Sequence, residues 1–144
     1  DKYPSKPVTL IVPQPAGGDA DAVCRSLQAK MQEVLGQPVV IDNRAGAGGN
    51  IGTALGAKAA PDGYTMTFVN QGTMALNPAL YPNPGYKVDQ FAPVAWLSSI
   101  DLVLVAHPSV PANNLRELLA LARKEPGKYT YGTAGNGSAN HLAG

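Results

Sequence analysis

Cysteine is almost missing from this chain: Cys24 is the one cysteine in 144 residues. No internal disulfide can form, and the cysteine count therefore does not report the compartment. A lone thiol on the helix expected around it packs as a small hydrophobe far more often than it acts as a nucleophile. Charge is sparse as well. Charged residues make up 15% of the chain, and a formal net charge of +1 without a basic cluster leaves no electrostatic footprint for nucleic acid. His107 and His141 are the two histidines, and no Cys, Asp or Glu stands at metal-ligand spacing from either, so neither a metal site nor a cofactor is expected. The longest apolar runs are far too short to cross a bilayer. The phosphate-cradling pattern G-x-x-x-x-G-K-S/T does not occur, and a G-x-G-x-x-G register started at Gly46 meets Ile51 where its third glycine belongs. A G-x-S-x-G elbow is also missing, which takes support from nucleophilic hydrolysis.

What is present is a globular composition. Hydrophobic residues reach 44%, which excludes disorder, and the length suits one domain with a sizeable core. Glycine (16) and proline (13) are frequent without low complexity, as in chains of many short elements joined by tight turns. The start, Asp1-Lys2-Tyr3-Pro4, reads as a processed or trimmed product, compatible with export.

The most informative stretch is the first. Val8 to Val12 is a short β-rich apolar run that Pro13 and Pro15 stop. Gly17 and Gly18 then let the chain turn into an amphipathic helix over 21–35, whose apolar stripe is Val23, Leu27, Met31, Val34 and Leu35 and whose stop is Gly36. Amides at such a helix start favour an anion. Gly18 is expected where a side chain would intrude on a ligand or clash with the turn, and the competing reading is an ordinary turn in which Asp19 or Asp21 caps the helix. A strand over 38–42, a loop over 43–50, a helix over 51–60 ended by Pro61-Asp62-Gly63, and a strand over 65–69 follow. This β-α-β-α-β order predicts an α/β fold with a parallel sheet flanked by helices. Asn70-Gln71-Gly72-Thr73 then falls at the carboxyl edge of the sheet, where open α/β folds bind ligands.

Two further β-rich runs cover 91–97 and 102–106, and a well-signalled helix begins after Asn114, with Glu117 three residues on and Leu115, Leu118, Leu119 and Ala122 as its stripe. A short strand at 129–131 leads into Gly132-Thr133-Ala134-Gly135-Asn136-Gly137-Ser138 and a helix opening at Ala139. This repeats the design of the first glycine turn and suggests a ligand held from both sides. An anion would be held by the amides of Gly17, Gly18, Gly135 and Gly137. A domain over 1–99 and the beginning of a second over 100–144 are expected, the latter too short to close a core, so the chain reads as a fragment.

The motifs Val12-Pro13-x-Pro15-Ala16-Gly17-Gly18-x-x-Asp21, Asn43-Arg44-x-Gly46-Ala47-Gly48-Gly49, Pro61-Asp62-Gly63-Tyr64-Thr65, Asn77-Pro78-x-Leu80-Tyr81 and Tyr131-Gly132-x-x-Gly135-x-Gly137-Ser138-x-x-His141-Leu142-Ala143-Gly144 run through the chain in order. Together they resemble the Bug family, the TctC-like extracytoplasmic receptors of tripartite tricarboxylate transporters. The resemblance implies a periplasmic two-domain binding protein, made with a signal peptide, that clasps a small carboxylate in its cleft and is not an enzyme. It implies membrane transporter subunits as partners, a monomer, and ligand contacts from Gln14, Ala16, Gly17, Gly18, Asp19, Asp21, Gln71, Gly72, Thr73, Thr133, Ala134, Gly135, Asn136, Gly137, Ser138 and His141. The family usually has an aromatic residue at the position of Gln14 and a small or hydroxylated one at that of Asp19. If Asp19 faces the cleft, an amino acid or an amide-bearing ligand is favoured; if it caps the helix, the ligand does not meet it. Two other readings are a module that signals to a membrane sensor and an α/β enzyme using Asp19, Asp21 or His141 as its base.

Overall fold

The computed structural model describes residues 2–99, 101–133, 135 and 138–143. Strand β1 (Val8–Val12) lies between β2 (Val39–Asn43) and β3 (Thr65–Thr67) in a parallel sheet of order β2-β1-β3. A central parallel strand is covered on both faces, which is why β1 is nearly continuous in apolar residues and why Val8, Leu10, Ile11 and Val12 are all buried. The register pairs Val12 with Asn43 and Ile11 with Thr67, so the three strands end at one edge. The shifts from the expected spans are small. Pro38, with no amide to donate, stays just outside β2, and beyond β3 the ladder continues only through the Phe68 amide to the Ile11 carbonyl at 2.8 Å.

Helix α1 (Asp19–Leu35) packs over β1 and β2. It begins two residues earlier than expected, because Gly18 takes the extended N-cap conformation (φ −78°, ψ 175°) and leaves Asp19 and Asp21 inside the first turn. Its core face is Ala20 and Cys24, with Met31 and Leu35 packed against Leu10, Val12 and Val39. Val34, placed on the stripe by periodicity, is exposed; the buried line runs one residue to its side. Burial pushes the Cys24 thiol up to about 11, helped by the Asp21 charge, as suits a packing residue.

A 3₁₀ turn (Ala47–Gly49) runs into α2 (Asn50–Ala57), which packs over β1 and β3. A Cβ at Gly52 would stand 2.6 Å from the Arg44 carbonyl oxygen and 2.8 Å from Pro13 Cα, and one at Gly56 would run into the Thr67 side chain. This helix therefore lies with its backbone close against the Pro13 turn and against the Thr67 side chain of β3. It stops before residue 60 because the Lys58 and Ala59 amides turn back to the Leu55 and Gly56 carbonyls, tightening the last turn.

The segment after β3, which carries Gln71, Gly72 and Thr73, is helical. From Gln71 the chain winds through a π-turn (Gly72–Leu76) into α3 (Asn77–Leu80), and a 3₁₀ turn follows at Val88–Gln90.

The strands expected over 91–97, 102–106 and 129–131 do not form. Val94, Trp96, Val103 and Val105 are 79–85% exposed; a strand needs a neighbour for its amides and carbonyls, and propensity alone does not supply one. Helix α4 (Leu115–Lys124) does form, because its signals are local. Asn114 Oδ1 accepts from the Glu117 amide at 3.0 Å, and Glu117 Oε2 accepts from the Asn113 amide at 2.7 Å, one residue before the cap. A short helix α5 (Ala139–Ala143) ends the described chain.

Candidate functional site

The turn after β1 is held by a closed set of side-chain bonds. Gly17 sits at φ +80° with no atom within 4 Å of where a Cβ would be, so conformation and not space requires glycine there. Its amide donates to Asp21 Oδ2 at 2.8 Å, and Arg25 Nε donates to the same oxygen at 2.8 Å. Asp21 Oδ1 accepts from Asn43 Nδ2 at 3.0 Å, and that amide group also reaches the Gln14 carbonyl at 3.2 Å. Arg25 Nη2 closes the ring on Asn43 Oδ1 at 3.2 Å. Asp21 is 2% exposed, and the Arg25 guanidinium, then the Gly17 amide, hold its carboxyl down at about 2 against the opposing effect of burial.

This geometry corrects the expectation for the amides. Gly17 donates to Asp21 and Gly18 donates to the Pro15 carbonyl at 3.2 Å, so neither points its N–H outward. Gly18 has φ −78° and a Cβ there would meet the Pro15 oxygen at 3.2 Å, so the turn demands glycine at Gly17 more than at Gly18. The amides of Ala16, Asp19, Ala20 and Asp21 have no hydrogen-bond acceptor among the described residues; Ala16 and Asp19 are exposed, Ala20 and Asp21 buried. Asp19 does not cap: α1 has no side-chain cap bond, and the Asp19 carboxylate accepts none among the described residues. Gln14 is half-buried with its carbonyl held by Asn43.

The second candidate segment meets the first at the same sheet edge. A Cβ at Gly49 would lie 2.8 Å from Thr73 Cγ2 and 3.3 Å from the Pro13 carbonyl, so the turns after β1, β2 and β3 converge there. Gln71 is exposed, but Gly72 and Thr73 are buried. The Thr73 hydroxyl donates to the Asn70 carbonyl at 3.2 Å and accepts from the Asn70 amide at 3.1 Å, while Asn70 Oδ1 accepts from the Thr73 amide at 3.1 Å. Beneath it, Asn77 Nδ2 donates to Asn50 Oδ1 at 2.7 Å and to the Gly48 carbonyl at 3.0 Å. The Tyr86 hydroxyl stands 2.5 Å from the Thr73 carbonyl and 3.2 Å from Asn50 Oδ1, and burial pushes its phenol up.

In the third segment Thr133 and Gly135 are exposed, and Ser138 and His141 are half-buried. The Gly135 amide donates to Thr133 Oγ1 at 3.2 Å, so it too is engaged within its own turn. Ser138 Oγ accepts from the His141 amide at 3.2 Å. Ala134, Asn136 and Gly137 lie outside the described residues. The structure thus brings Gln14–Asp21 and Gln71–Thr73 together, whereas 133–141 belongs to a stretch in which no described residue is buried.

Sequence reasoning missed Arg25, Asn43, Asn50, Asn77 and Tyr86. The Asp21-to-Arg25 spacing of four residues was a readable signal for a helical ion pair. The position of Asn43 opposite Val12 needed the sheet register. Among the described residues no three His, Cys, Asp or Glu side chains converge as a metal site would require. An open hollow of about 1000 Å³ between Lys58, Tyr81, Tyr86 and Gln90 contains none of the candidate residues.

Comparison with known proteins gives these features a setting. The family described as "Tripartite tricarboxylate transporter family receptor", TctC, matches residues 23–144. Protein BugT of Bordetella pertussis is 41% identical over 144 residues, which are 99% of this chain and 44% of BugT. The solved periplasmic binding protein BugD superposes with a TM-score of 0.80 at 41% identity, covering 97% of this chain and 47% of BugD. MatC from Rhodopseudomonas palustris with bound malate superposes with a TM-score of 0.79 at 38% identity, covering 84% of this chain and 42% of MatC. The chain spans less than half the length of these relatives.

Proposed function

The chain belongs to the TctC family of tripartite tricarboxylate transporter receptors, and on that premise we propose that the whole protein is a periplasmic solute-binding protein delivering a small carboxylated solute to membrane transporter subunits. Residues 1–99 supply one wall of its cleft and residues 100–144 begin the other. The observation that carries this reading is the run of amides without an acceptor at the start of the 17-residue helix α1, two of them on the exposed residues Ala16 and Asp19. A carboxylate there gains amide donors and the field of the helix start, which favours an anion by roughly 0.3–1 kcal/mol or more when partly buried. No bond is made or broken: Asp21, paired and held at about 2, is a poor base at neutral pH. Malate bound to MatC agrees with a small carboxylate as the class of solute.

Asp19 refines the class. Because it does not cap α1, its exposed carboxylate is available to a neighbouring positive or hydrogen-bond-donating group on the solute, and it repels a second carboxylate placed there. An amino acid or amide-bearing acid fits better than a plain dicarboxylate. Native mass spectrometry of the full-length protein tests the reading, since a retained solute has a mass that names its class. Calorimetry with aspartate and malate on the wild type and Asp19→Ser tests the refinement. Loss of charge is expected to weaken aspartate and improve malate, and an unchanged order of preference refutes the role given to Asp19.

A further inference from the structure

We infer that Asp21 is the positioning residue of the first loop: it holds the turn from behind, through Gly17 and Asn43, and touches no solute itself. The inference rests on reading this turn as a solute-binding element. The turn has two backbone groups that a side chain can grip, the Gln14 carbonyl at its entry and the Gly17 amide at its exit. Asn43 takes the first at 3.2 Å and Asp21 the second at 2.8 Å. Asn43 is itself fixed on Asp21 at 3.0 Å, so both ends of the turn hang on one buried carboxylate.

Two consequences separate this role from that of a nearby charge. Asp21 removes the Gly17 amide from the set of unbonded donors while holding Gly17 in its left-handed conformation, which leaves the amides of Ala16, Asp19, Ala20 and Asp21 without an acceptor among the described residues, Ala16 and Asp19 being the exposed residues of the four. Arg25 meanwhile offsets the charge of Asp21 at 2.8 Å and is tied to Asn43 at 3.2 Å, so it serves the loop's neutrality and is not left over as an anion ligand. If Asp21 acted only as a negative charge behind an anion site, neutralising it would tighten the binding of a dianion. As a positioning residue, its neutralisation loosens binding, because Asn presents an N–H₂ to donors that need an acceptor.

The test uses the full-length protein and the variant Asp21→Asn, with amide exchange of Gly17 followed by NMR and binding of malate and aspartate followed by calorimetry. Loss of a charged acceptor is expected to speed Gly17 exchange by about tenfold or more, with the amides of 27–35 unchanged. The affinity for whichever acid binds is expected to fall by about tenfold. Unchanged Gly17 exchange, equal or tighter binding, or a loosening of all of α1 together would each overturn the inference. Should neither acid bind the wild type, the solute class proposed above fails, and Gly17 exchange in Asp21→Asn still decides the role of Asp21.

Discussion

Helices α1 and α4 are both amphipathic, yet they are held in opposite ways. α1 has no side-chain cap and no basic residue in its last turn, and it stands on packing: Ala20 and Cys24 are buried against the sheet. α4 has an Asn cap, Glu117 in its first turn and Arg123 and Lys124 in its last, and it buries no residue. A helix closes its hydrogen bonds within itself, so end signals suffice to write one where nothing packs on it. Strands have no such option. Around α4 the β-rich runs stay irregular, whereas around α1 the equivalent runs pair.

The largest expected difference between the two regions is in amide exchange. In this chain the amides of β1 should exchange on the order of a thousandfold more slowly than those of 102–106, since one set opens with the core and the other lies open. Equal rates would break the comparison. Next in size is side-chain truncation. Val12→Ala, at a fully buried position, should lower stability by ~2 kcal/mol in denaturant unfolding, while Leu119→Ala, about half exposed, should stay within ~0.5 kcal/mol. Asn114→Ala should cost about 1 kcal/mol of helix α4 alone, read as lost helical circular dichroism with an unchanged unfolding midpoint for the sheet region.

A smaller effect sharpens the contrast inside the first turn. Gly17→Ala places a Cβ at φ +80° and should destabilise by about 1 kcal/mol, whereas Gly18→Ala, at φ −78°, should cost about 0.5 kcal/mol, from the poorer N-cap and the Cβ at 3.2 Å from the Pro15 oxygen. The last test is pH. Asp21 has a folded-state value of about 2, below the ordinary carboxylate range near ~4. Its contribution is therefore complete above pH ~4 and is lost as pH falls through about 2. An acid-unfolding series should show this component, and Asp21→Asn should remove it.

The parallel sheet was legible because Val8–Val12 and Val39–Asn43 are short apolar runs bounded by Pro and Gly, and a buried strand needs little more to be recognised. The glycine turn after β1 and the helix that follows it were legible for the same reason. Which amides the turn presents was not. That depends on Asp21 reaching back to Gly17 and on Asn43 arriving from the next strand, and only the register supplies the second. The helical turn at 72–76 was hidden because Asn70 and Thr73 bond to each other's backbone, a reciprocity that reads as a polar loop until the chain is seen to wind. The runs at 91–97 and 102–106 carry strand composition truthfully; composition states a preference, and the partner decides.

The glycines of α2 have a mechanical meaning. Where side chains separate two elements, the layer between them can shear by a rotamer change at small cost. Gly52 leaves no such layer between α2 and the Pro13 turn, and Gly56 leaves only the Thr67 side chain between α2 and β3, so these three elements bear closely on one another. A movement at this edge is therefore expected to carry α2 and the Pro13 turn together.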